Sequence, residues 1–236
     1  MHCLAVLDPR KVDRVDWAAF SLSLKLGSAT LAVLLPISLI AGRTLALQTF
    51  RGKGIAEALV ALPLVLPPAV LGFYLLVAFG ARSPLGRLTT GLIGHPLAFS
   101  FAGLLAASVL INIPFGIQPI QRAFEAIPPD IREAAACCGM SRRRAFLAIE
   151  LPLAWPGILS AAVLTFAHTL GEFGVVLMVG GNIPNETRTL SIAIYDRMQA
   201  FDDRAAGLMA ATLLLVALAT LTITHVLGRR IARRHG

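Results

Sequence analysis

The sequence predicts an all-α protein that crosses a membrane about five times. Three observations lead there: a charge-poor apolar composition, five apolar stretches of spanning length, and basic residues spread unevenly over the loops between them. Of 236 residues, 56% are hydrophobic and 14% charged, and the mean hydropathy is +0.75, far too apolar for an ordinary soluble domain. A helix needs about 20 mainly apolar residues to cross a hydrocarbon layer of roughly 30 Å. Stretches of that kind run from Trp17 to Ala41, Ala56 to Phe79, Leu97 to Ile117, Leu153 to Val179 and Gly207 to Leu227.

Orientation follows from the basic residues near the ends of the spans. With the Gly42 to Ile55 loop inside, twelve Lys and Arg residues fall on the inner side, among them Arg43, Lys53, Arg132, Arg142 to Arg144 and the terminal Arg229 to Arg234 group. Eight fall outside, Arg10, Lys11 and Arg14 among them, while Lys25 lies within a span. The expectation is an N-terminus outside and a C-terminus in the cytoplasm. The net charge of +8 does not signal nucleic acid, because the basic residues are dispersed without interleaved aromatics. Met1 to Asp16 carry charge but no apolar core, so no cleavable signal peptide is expected and the first span directs insertion. Cys3, Cys137 and Cys138 lack any metal-ligand spacing; for the last two a small packing role on the reducing side is expected.

Taken in order, the first span has a polar outer half, with Ser21, Ser23, Lys25, Gly27, Ser28 and Thr30, suited to close helix contact in a bilayer. The second holds Pro63, Pro67 and Pro68, which remove helix hydrogen bonds and kink the axis. The third carries Asn112 and Pro114 near its inner end. Between the third and fourth spans, Pro128 and Pro129 end what precedes them, Asp130 is placed to cap a helix from Ile131, and Glu133 sits in its favourable first turn. Ala134, Ala135 and Ala136 leave that helix bare, and Gly139 is placed to stop it in a left-handed turn. Ser141 offers a second cap before Arg142, Arg143 and Arg144. Two short helices meeting at a glycine form a compact knob whose alanines can sit deep in a partner's groove, with Glu and Arg groups setting register. An amphipathic hairpin resting on lipid is the alternative.

The fourth span starts after Pro152 and Pro156 and holds His168 and Glu172. An ionisable group inside a span faces a bundle interior or a watery path. Glu172 and Lys25 are expected at similar depth on the outer side, where they can pair; an ion pair and a translocation role are both open. His168 and Glu172 share a helix face but lack a third ligand, so no metal site is expected. The Gly180 to Ala206 segment reads as a long polar outer loop. No phosphate-cradling glycine loop is present, so any ATP engine belongs to another chain.

Glu133-Ala134-Ala135, Gly139 and Ile149-x-Leu151-Pro152 match position for position the "EAA" cytoplasmic loop of permease subunits of bacterial ATP-binding-cassette importers. Leu62-Pro-Leu-Val-Leu-Pro-Pro, Leu170-Gly-Glu-Phe-Gly and Gly181-Asn-Ile-Pro-Asn-Glu-Thr-Arg-Thr-Leu extend the likeness, so that nearly the whole chain from Trp17 resembles molybdate permease subunits. Sulfate permeases share part of these segments, and the continuation from Glu186 to Tyr195 tilts toward molybdate over sulfate or tungstate. The resemblance implies a type I importer permease fold, with no catalytic role in this chain. It implies a periplasmic segment over residues 1–16, a transmembrane domain over 17–228 with the coupling loop at about 118–152, and a basic cytoplasmic tail over 229–236. Implied partners are a second copy of this subunit in a homodimer, an ATPase dimer that binds ATP and magnesium on the cytoplasmic side, a periplasmic oxyanion-binding protein, and inner-membrane lipid. Glu133, Ala134, Ala135, Gly139, Ile149, Leu151 and Pro152 would couple to the ATPase, and Lys25 and Glu172 are the pathway candidates. A secondary transporter is the competing class, and it would call for inverted repeats and paired intramembrane charges.

Overall fold

The computed structural model describes residues 15–235, without the side chains of Ile93 and of residues 223–235. The three outer basic residues before Val15, Cys3, most of the expected periplasmic segment and the side chains of the basic tail therefore lie outside the described residues. Eleven α-helices and no strand occur among those described.

The first helix, α1 (Trp17–Leu47), is capped by Asp16, whose side chain accepts from the Ala19 N–H at 3.0 Å. At 31 residues and about 1.5 Å per residue it is longer than a hydrocarbon layer is thick. The second expected span is broken. α2 (Lys53–Val65) and α3 (Pro68–Phe79) meet at 108°. Leu66, held extended before Pro67, and Pro67 itself at ψ 136° cannot continue the helix, and Pro68 starts the next one where its missing N–H is harmless. The two ends of the pair lie at opposite ends of α5 (Phe101–Glu125): Glu57 accepts from the Gln121 amide at 2.9 Å, and the Phe79 carbonyl accepts from the Ala98 N–H at 3.2 Å. This placement favours one broken crossing over a re-entrant hairpin.

Between α3 and α5 lies a helix that hydropathy did not announce, α4 (Pro84–Ile93), capped by the Ser83 hydroxyl and ended by left-handed Gly94. α5 runs eight residues past the expected inner boundary, so the expected loop begins inside a helix. α6 (Pro129–Cys137) and α7 (Arg142–Ala145) form the knob. α7 continues through a π-turn (Phe146–Glu150) into α8 (Leu151–Gly171), a run of 30 residues. The fourth span thus starts before Pro152 rather than after it. Proline at 152 has no N–H and its ring crowds the carbonyl four residues back; the widened turn, in which the Leu151 N–H reaches the Phe146 carbonyl, accommodates both.

α9 (Gly174–Gly180) follows a break at Glu172. The outer segment expected to be a loop folds as α10 (Leu190–Gln199), with Leu190 and Ile192 fully buried. α11 (Asp203–His235) ends the chain and supplies the fifth crossing. α1, α5 and α8 form the centre of the bundle. Ile120, Phe124, Ala154, Ile158 and Ala161 make its inner core, with Leu35 and Leu39 of α1 packed against them. Glycine lets these helices touch: a side chain at Gly116 would overlap Ser38 of α1, and one at Gly42 would come within 3.0 Å of the Gln121 backbone. A second cluster joins Phe79, Ala107, Ile111, Val175 and Val179, bringing α3, α5 and α9 together.

Candidate functional site

The knob is built by local signals. Helix α6 starts at Pro129 after Pro128, and its cap is not Asp130; with Pro128 and Pro129 ahead of it, Asp130 lies inside the first turn, where its charge meets the positive helix end. Glu133, expected in the first turn, lies beyond it because the helix starts two residues earlier; it is exposed and makes no ion pair among the described residues. Ala134 and Ala136 are exposed as well, whereas Ala135 is buried against the chain. The helix closes as expected at Gly139, φ +74°. The Gly139 N–H reaches the Ala136 carbonyl at 2.9 Å and the Met140 N–H the Ala135 carbonyl at 3.1 Å, the paired bonds of a glycine-terminated helix end. Ser141 then caps α7 by accepting from the Arg144 N–H at 3.4 Å. Cys137, the last residue of α6, and Cys138, its C-cap, are exposed, not packed, because this short helix buries only Ala135. The knob therefore presents a small-residue face edged by Glu133 and by Arg142, Arg143 and Arg144, all solvent-exposed.

Of the remaining motif positions, Leu151 packs against the Ile120, Phe124 and Ile158 cluster, Ile149 is half-buried, and Pro152 enters the first turn of α8. Sequence reasoning missed the residue between Ile149 and Leu151. That residue, Glu150, is 5% exposed. Its Oε2 accepts from Arg43 Nε at 2.7 Å and its Oε1 from Arg132 Nε at 3.2 Å. Arg132 also donates to the carbonyl of Phe124, in the last turn of α5, at 2.8 Å and to that of Ile127, just past it, at 3.3 Å. Arg43 lies over the Phe146 ring, 5.1 Å from its centroid. No local pattern marks such a cluster, since Arg43 and Glu150 are 107 residues apart.

A chain of polar side chains crosses the middle of the bundle. Thr30 donates to Ser108 at 2.9 Å; the Asn112 amide donates to the Ser108 carbonyl at 2.8 Å and to Thr169 at 3.1 Å; and the Asn112 oxygen faces His168 Nδ1 at 3.1 Å. His168 stacks on Phe115 at 4.2 Å, and its other nitrogen lies 3.8 Å from Glu172. Asn112 is fully buried, so removing it leaves several partners unmatched. Asn112→Ala is expected to cost about 1–2 kcal/mol, read as a lower melting temperature of the detergent-solubilised protein; an unchanged value would show that the chain of bonds adds nothing to stability.

The expected pairing of Lys25 with Glu172 is not formed. Glu172 does not lie within a helix: the backbone breaks there, and the buried carboxylate accepts from the Val175 N–H at 2.9 Å, satisfying a free donor at the start of α9. Ser191 of α10 donates to the Glu172 carbonyl at 2.8 Å. Lys25 instead places its ammonium 4.6 Å from the centroid of Phe101 and is exposed. The break at Glu172 abuts the break in the second crossing, because Gly174 leaves room for Pro68, whose Cβ is 3.0 Å from where a side chain would begin. Two interrupted crossings therefore meet at their interruptions, an arrangement found where membrane proteins line a cavity.

Residues 35–235 match the profile of the family described as binding-protein-dependent transport system inner membrane component. The molybdenum transport system permease protein of Azotobacter vinelandii is 48% identical over 200 residues, 85% of this chain and 88% of the relative. That of Escherichia coli is 36% identical over 218 residues, 92% and 94% of the two chains. A sulfate transport system permease protein of Salmonella typhimurium is lower, at 32% over 78% of this chain and 66% of its own. Among solved structures, a chain of a bacterial alginate transporter in complex with a periplasmic protein superposes with a TM-score of 0.74 at 17% identity, covering 92% of this chain and 80% of that one, which shows a shared fold. These relatives are permease subunits, not enzymes, and the length and extent of the matches place this chain in the family of binding-protein-dependent transport system inner membrane components.

Proposed function

We propose that this chain is the membrane-spanning subunit of an ATP-binding-cassette importer that carries molybdate inward across the inner membrane. In this reading it works as a homodimer, with its N-terminus outside, its C-terminus inside, an ATPase bound to each knob, and a periplasmic oxyanion-binding protein on the outer face. The observation that carries it is the knob from Pro129 to Ala145: an exposed alanine face on a glycine-terminated helix, edged by charges and standing off the membrane bundle. The 48% identity to a molybdenum permease supports the choice of anion.

ATP binding draws the partner ATPases together and with them the two knobs, so that the bundles tilt and open outward; hydrolysis reverses the movement. The ATPase must hold the knob in both states at different separations, since only differential contact shifts such an equilibrium. Selectivity rests largely with the binding protein. Within the pathway, Lys25 is proposed as an accessible cation that the anion passes. Glu172, already holding the start of α9, is proposed to shape the route by fixing the break rather than by touching the anion.

The test is reconstitution of the assembled complex in proteoliposomes, with ATPase rate and anion uptake followed against binding protein loaded with molybdate, tungstate or sulfate. Molybdate-loaded protein is expected to stimulate hydrolysis and uptake most. Equal or greater stimulation by sulfate would replace the anion, and ion-driven uptake without any ATPase would replace the whole reading with a secondary transporter.

A further inference from the structure

Within the knob, α7 runs on into α8, but α6 is held against the membrane helices by few groups. Ile131 gives α6 an apolar contact with the Phe124 and Ile127 cluster, and Arg132 gives it a polar one. The Arg132 guanidinium uses all three nitrogens: Nε on Glu150, and the other two on the carbonyls of Phe124 and Ile127. Glu150 in turn belongs to the π-turn that continues into α8, and its second oxygen holds Arg43, near the inner end of α1. One buried carboxylate and two arginines therefore connect α6 to each of the three helices that form the centre of the bundle.

Stability does not demand this cluster. Burying the Glu150 carboxylate costs solvation that offsets much of its attraction to two partly exposed arginines, and such a cluster is often no more stabilising than well-packed apolar residues of the same volume. What the cluster supplies is stiffness and direction. Charge-assisted hydrogen bonds are short and oriented, whereas apolar helix contacts permit the small sliding seen in shear motions. A π-turn beside it is a common accompaniment of functional sites in helices.

We propose that Glu150, Arg43 and Arg132 form the joint that passes movement of the knob into α1, α5 and α8, with Glu150 as its central positioning residue. This rests on the reading that α6 is the element held by the ATPase. Without the joint, ATP is still hydrolysed but less of the movement reaches the pathway, so the signature is a changed ratio of anion moved to ATP consumed.

The experiment compares Glu150→Gln, Arg43→Gln and the double variant as complexes assembled with the ATPase in proteoliposomes, supplied with molybdate-loaded binding protein. Each single variant is expected to co-purify with the ATPase and to lower molybdate moved per ATP by about tenfold, the scale of one lost charge-assisted hydrogen bond. The double variant is expected to be little worse than either, since the residues act as one unit. A wild-type ratio in either single variant overturns the joint. If Glu150→Gln does not assemble, Arg43→Gln decides alone, because Arg43 is partly exposed and its loss leaves Arg132 on Glu150. Crosslinks from Ala134 of the otherwise unaltered chain are run in parallel. If they fail to capture the ATPase, the docking reading falls; if they succeed while the ratio is unmoved, only the joint falls.

Discussion

Gly139→Val is expected to uncouple ATP hydrolysis from uptake while leaving the membrane bundle folded. Gly139 holds φ at +74°, and a side chain built there would meet no atom within 4 Å. The effect is therefore purely one of backbone conformation, with no steric contribution from neighbours. A non-glycine residue in the left-handed region costs about 1–2 kcal/mol, and a β-branched one stands at the upper end or beyond. At 1.4 kcal/mol per factor of ten, a cost of about 2 kcal/mol reduces the population with an intact elbow by roughly thirtyfold. The bonds at risk are those from Gly139 and Met140 to the Ala136 and Ala135 carbonyls, which orient α6 against α7. Uptake and binding-protein-stimulated ATPase in proteoliposomes measure the result. Gly139→Asn, which tolerates the left-handed region, is expected to retain most activity. Wild-type stimulation and uptake in Gly139→Val would show that the turn has no part in coupling.

Gly157→Val is expected to act by the opposite route, on folding itself. Gly157 lies where α8 crosses α5: a Cβ there would overlap the Ala123 side chain and come within 2.7 Å of the Pro119 carbonyl. No rotamer change relieves a clash with backbone, so the two helices must separate, and the Ile120, Phe124, Ala154 and Ile158 core beside them loses contact. Overpacking of this kind costs about 1–3 kcal/mol, with lost dispersion added. The measurement is the fraction of monodisperse protein in detergent and its melting temperature. Recovery of normal, thermally unchanged protein would mean that α5 and α8 pack less tightly than their glycine contact implies.

The features legible in the sequence are those set by short-range rules. Hydrocarbon has no partner for backbone polar groups, so spans must be apolar and helical; all five are found near their expected places, three as continuous helices and the second and fourth interrupted. The knob was legible because proline, glycine and serine act within a few residues. Its start is misplaced by two residues, because Pro128 and Pro129 begin the helix by themselves, which puts Asp130 in the first turn and Glu133 beyond it, and Cys137 and Cys138 are exposed rather than packed. Proline was read less well in the longer segments: Pro67 with Pro68 breaks a crossing outright, whereas Pro152 is absorbed by a widened turn and Pro114 and Pro119 stay inside α5. Whether proline breaks or merely bends a helix depends on what neighbouring helices supply to the freed carbonyls, and a single segment does not contain that information.

Charge placement divides in the same way. Hydropathy marks Glu172 and Lys25 as unusual because an ionisable group in lipid is costly, but it does not choose their partners; Glu172 holds the first turn of α9 and Lys25 rests on Phe101. Glu150 drew no notice, being an acid on the loop side of a span, although it joins three elements. The sequence by itself determined the membrane crossings, the left-handed elbow at Gly139 and the family, because lipid, backbone sterics and motif spacing act locally along the chain. Only the tertiary structure decided which buried charges meet, since the low-dielectric interior makes each seek a partner and the helix packing alone sets who is within reach.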